Sequence, residues 1–186
     1  MNSPSLVRWG AVGAVVAGLA WAAASFFNLV FPGNENGPLA LSAEAIAEGG
    51  MLVALLGLRV LQARSLGKLG NIGFTLAFCG VGIVLLATLL GVAISAAHLL
   101  GILLDIMFGL GLLGWVVGFV LLGIATFRAK VLAGWYGLLV AAYPLLLLVL
   151  LVTFGAGTLA GLVWLVLGYA LWTGRDTVGE RSSRVR

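Results

Sequence analysis

Charge is scarce in this sequence of 186 residues: 9% of positions are charged and 62% hydrophobic, and the mean hydropathy is +1.21. That excludes an ordinary soluble domain, where roughly 25% of residues are charged. Period-two alternation is also missing, which excludes a membrane barrel and leaves helices, the other backbone that satisfies itself in hydrocarbon. Cysteine and histidine occur once each, as Cys79 and His98. A lone cysteine excludes an internal disulfide and any multi-cysteine metal site, so Cys79 reads as a small buried hydrophobe. A lone histidine argues against a haem held by paired histidines, and no G-x-S-x-G stretch surrounds a serine that it could activate. P-loop, dinucleotide, EF-hand and HExxH patterns are all missing. The polar segments are too short to fold as a catalytic module. Neither an enzyme nor a resident cofactor is expected.

What the sequence does have is apolar runs. Six emerge, at about 9–31, 44–64, 72–94, 102–127, 131–153 and 157–173, each close to the ~20 residues a bilayer crossing needs. The first passes "AWAAAS", which resembles a signal-peptide cleavage site, but it reads as a retained span. The separators differ: "PGNENGPLALS" (32–42) is a polar loop, "RSLGKLG" and "RAK" are basic turns, and "SAAHLLG" is a small-residue turn. Residues 174–186, "GRDTVGERSSRVR", read as a basic cytoplasmic tail.

Threading the chain in and out puts every basic residue on one side: Arg8, Arg59, Arg64, Lys68, Arg128, Lys130, Arg175, Arg181, Arg184 and Arg186. The opposite side holds Glu35, Glu44, Glu48 and Asp105. Such a bias places both termini in the cytoplasm and the chain in a plasma (inner) membrane. Trp9, Trp135, Tyr136, Tyr169 and Trp172 fall near the basic interface, where amphipathic rings are favoured. The net charge of +4 therefore records orientation, and the bilayer rather than nucleic acid is the expected partner.

The fold class expected is thus an all-α integral membrane protein with six transmembrane helices forming one bundle over residues 1–173. "RWGAVG", "KLGNIG" and "KVLAGWYG" open the odd-numbered spans alike, which suggests three parallel helical hairpins about 60 residues apart. Gly114 and Gly118 form a strict GxxxG pair for helix packing, inside the bundle or against another chain.

The second run is the most polar, with Glu44, Glu48, Arg59 and Gln62. At 100° per residue, Glu48 and Arg59 lie about 20° apart, and Glu44 and Gln62 fall within about 40° of Glu48. The polar residues form a stripe. A charge facing lipid costs at least ~2.5 kcal/mol near the helix centre, so the stripe should face protein or a wet cavity. Arg59 is close enough to its end to snorkel, and Glu44 reads as a solvated helix start. His98 and Asp105 lie at the same outer side as Glu48. Glu48, His98 and Asp105, joined by Glu44, form the candidate cation or proton site; in the competing structural reading they cap helices and meet headgroups. Tyr143-Pro144, in the middle of the fifth run, marks a kink or hinge. Thr75, Thr88 and Thr126 can bond their own helix backbones.

Two functions are expected. The first is a non-enzymatic accessory or assembly subunit that acts through helix contacts with other membrane proteins or with itself. The second is a small transporter or channel-like protein with an outward-facing cation or proton site.

Overall fold

The computed structural model of the chain describes residues 3–31, 37–63, 65–93, 98–129, 134–150 and 156–183. Among them are six α-helices and no strand: α1 (Ser3–Val30), α2 (Pro38–Gln62), α3 (Gly67–Ala93), α4 (His98–Ala129), α5 (Gly134–Leu150) and α6 (Ala156–Ser183). Four stretches are long and apolar enough to cross a bilayer, namely Ser5–Val30, Pro38–Gln62, Gly67–Gly91 and Gly101–Ala129. The chain is therefore a helical membrane protein in contact with lipid. In α6 the apolar part, Gly157–Thr173, is shorter.

Several boundaries differ from the expected ones. α2 starts at Pro38, inside the segment expected to be a loop. Gly37 is extended (φ −67°, ψ 154°), and proline in the first turn gives up only an amide that has no helical partner there. Glu44 is therefore well inside the helix and only partly buried, not at its start. α4 begins at His98, inside the segment expected to be a turn. α6 runs on to Ser183, so most of the expected tail is helical. Between α2 and α3 the Gln62 carbonyl accepts from the amides of Ser65 (2.9 Å) and Leu66 (3.1 Å). Gly67 then adopts φ +58°, which glycine reaches without the Cβ clash of other residues. α5 continues through Pro144, which is buried. Cys79 is exposed on α3 and not buried as expected; a weakly polar thiol tolerates lipid as readily as a core.

Neighbouring helices pack antiparallel. Gly10 of α1 meets Gly57 of α2, and further along Gly13 meets Gly50; a Cβ at Gly10 would lie 2.5 Å from the Gly57 Cα. α1 is tied as closely to α6, where a Cβ at Gly18 would lie 2.7 Å from the Gly161 carbonyl and Gly168 meets Ala11. α4 has the same position in the other half of the chain. Gly80 and Ala77 of α3 meet Gly114 and Gly118, and Gly123 and Gly137 tie α4 to α5. No described glycine makes such an approach between α2 and α3 or between α5 and α6, although both pairs touch and complete the ring.

The glycine seams therefore group the helices as two trios, α6–α1–α2 and α3–α4–α5, within which α1–α2 and α3–α4 are also two of the expected hairpins. The shared openings of the odd spans supply seam glycines, since Gly10, Gly13, Gly73 and Gly137 each approach a neighbouring helix closely.

Candidate functional site

The joint between the trios is built from different side chains. Met51 of α2 lies at its centre, fully buried. A cluster of aromatic rings from α1, α4, α5 and α6 includes two, Trp21 and Tyr143, that reach its sulfur. Trp21 (α1) and Trp115 (α4) have centroids 6.5 Å apart, and Trp115 lies 6.0 Å from Tyr143 (α5). Tyr143 and Trp164 (α6) meet edge to face at 5.5 Å, and Phe119 (α4) lies 5.8 Å from Trp164. These are the spacings that aromatic quadrupoles favour.

The ring cluster is rich in donors and poor in acceptors. Trp21 Nε1 (3.5 Å) and the Tyr143 hydroxyl (3.9 Å) both donate to the Met51 Sδ, a weak acceptor. Trp115 and Trp164 Nε1 are buried with no hydrogen-bond partner.

One turn towards the N-terminus of α2 is Glu48, with 3% of its surface exposed. Its Oε1 accepts from Thr88 Oγ1 of α3 at 3.3 Å, and its Oε2 is buried with no partner. Thr88 thus reaches across the joint and does not bond its own helix. Glu44 stands four residues nearer the N-terminus on the same face of α2.

The joint closes near the C-terminal end of α2 with an uncharged pair. Gln62 of α2 is fully buried and donates from Nε2 to Thr126 Oγ1 of α4 at 3.1 Å. The single Thr126 hydroxyl proton goes to the Leu122 carbonyl at 2.8 Å, so the oxygen remains free to accept. Leu55, Leu58 and Leu122, each at most 1% exposed, fill the space between the two ends. Arg59 shares the angular position of Glu48 but is exposed. Its guanidinium lies 4.5 Å from the Phe74 ring centroid of α3, because near the helix end a long side chain can leave the interior.

The other expected site residues are not gathered here. Asp105 is exposed on α4. His98 is the first residue of α4, and its side chain lies outside the described residues. Among the described residues no three His, Cys, Asp or Glu side chains are placed to hold a metal ion. Asp105 is near the N-terminal end of a helix that extends beyond any hydrocarbon core: 32 residues span about 48 Å, against ~30 Å. Gly114 and Gly118 are covered by α3. The aromatic core was not among the expected site residues. A signal for it exists, since Trp21, Trp115 and Trp164 fall inside apolar runs and not at their ends.

No family model, no curated protein and no solved structure matches this chain.

Proposed function

We propose that the chain is a non-enzymatic carrier of a proton or small cation, that it crosses an inner membrane six times with both termini cytoplasmic, and that Glu48 is its exchanging group. The antiparallel ring supports six crossings. The apolar stretches of α5 and α6 are 17 residues each, at the lower limit for a span. The exposed Arg8, Arg59, Lys68 and Arg128 belong to the ends of α1 to α4 that this threading places in the cytoplasm.

One observation carries the transport reading: the buried, half-satisfied carboxyl of Glu48 at the joint between the trios. A bare carboxylate at this depth is costly, so Glu48 needs either a proton or a cation. Its only described hydrogen bond comes from the opposite trio, so movement of one trio against the other changes its surroundings. Alternating access in carriers built of two helix sets requires such a link.

The test is flux into proteoliposomes. Glu48→Gln keeps the size of the side chain and an acceptor for Thr88, and should lower proton or monovalent-cation flux at least ten-fold without loss of folded protein. Unchanged flux in that variant refutes the proposal. The other expectation, an accessory or assembly subunit, loses Gly114 and Gly118 as a docking face because α3 covers them. It calls for a co-purifying membrane partner, which a pull-down run beside the flux assay checks.

A further inference from the structure

An apolar groove of about 350 Å³ runs along the outer surface between α1 and α6. Val12, Val15 and Val16 form one wall, and Leu165, Tyr169 and Trp172 the other. Its floor is Gly168, where a Cβ would lie 2.9 Å from Val15 Cγ2 and 3.2 Å from the Ala11 carbonyl. In hydrocarbon an unfilled hollow forfeits dispersion contacts on its lining, so a chain-shaped apolar occupant is favoured.

The chemistry at one end makes this groove selective. Arg8 is exposed and precedes Val12 by four residues, hence about 40° around α1 and ~6 Å closer to the basic end. Because Gly168 packs at Ala11 in an antiparallel pair, Trp172 lies level with this first part of α1. Trp172 and Tyr169 are exposed, the arrangement favoured where rings meet headgroups. An exposed arginine about one turn beyond the Val12 end of an apolar slot matches a phosphodiester at the end of an acyl chain.

We propose that the groove between α1 and α6 holds one acyl chain of an anionic phospholipid whose phosphate is bound at Arg8. The lipid acts as a wedge on the outer side of the first trio, away from the Glu48 joint, so the proposal stands or falls separately from the transport reading.

The full-length protein in mild detergent, probed by native mass spectrometry with phosphatidylglycerol and phosphatidylcholine of identical chains, provides the test. One phosphatidylglycerol should be retained in preference. Arg8→Gln should cut that preference about five-fold, the effect of one basic residue at a charged membrane surface. Val12→Phe fills the groove from an exposed position and should abolish retention of both lipids, with the thermal midpoint kept within a few degrees. Glycerol phosphate, a headgroup without chains, should not bind. Equal retention of the two lipids, an unchanged preference in Arg8→Gln, or lipid retained by Val12→Phe each overturns the proposal. So does a dimer of the wild-type chain that Val12→Phe dissolves, since the occupant is then a second copy.

Discussion

Within each trio the helices meet backbone to backbone; between the trios they meet ring to ring and polar group to polar group. The seams of α1 and α4 have almost no side-chain volume to adjust, because a methyl group at Gly10 or Gly18 would press on the main chain opposite. The joint is held by Met51, five aromatic rings and two polar pairs, all of which can change rotamer without moving a backbone. Of the described side-chain hydrogen bonds between helices, all but Trp21 to Met51 cross the joint. The seams therefore leave little room for one helix to shift against another within a trio, whereas the contacts across the joint are made by side chains.

The contrast breaks most readily at a seam. Gly118→Leu drives its side chain into the Ala77 backbone and should cost more than ~3 kcal/mol, with little folded protein surviving detergent extraction. Gly82 has nothing within 4 Å of its Cβ position, so Gly82→Ala should be neutral or raise stability by up to ~1 kcal/mol. If both variants melt alike, close approach is not what holds the trios together.

Next in size is Met51→Ala, which empties the centre of the joint and should cost about 2–5 kcal/mol in detergent unfolding, with altered tryptophan emission from the rings around it. Gln62→Leu should cost only about 1 kcal/mol, because Thr126 keeps its bond to Leu122 and no buried group is orphaned. Among substitutions at the joint, the smallest expected effect on stability belongs to Glu48→Gln, within about 1 kcal/mol of wild type, because it trades a costly acid for a neutral amide that can still accept from Thr88. A large loss there makes Glu48 a structural fastener, and the functional contrast between seam and joint disappears.

How much of this was legible depends on what each signal encodes. Periodicity on α2 placed Glu48 and Gln62 on one face, because angular position depends on spacing alone, and both are buried. The same arithmetic put Arg59 at that angle, and its nearness to the helix end gave the expectation that it snorkels. It is exposed over Phe74, because depth and side-chain length as well as angle decide whether a cation stays inside. The start of α2 was misplaced because "PGNENGP" reads as a turn, while Pro38 can open a helix only if the residues after it continue one. The partner of Glu48 was not legible. Thr88 lies forty residues away, and its contact depends on which helix flanks which, a matter decided by glycine seams that look alike along the chain. The trio grouping was hidden for the same reason.

Cys79, alone of its kind and facing outward on α3, has a practical consequence. A spin label or fluorophore attached there needs no cysteine-free background. Paired with one engineered thiol on the outer face of α1, at Val16 for instance, it yields a ruler from one trio to the other. Distances recorded in acidic and alkaline vesicles then report directly whether the two halves rock, before any transported species has been identified.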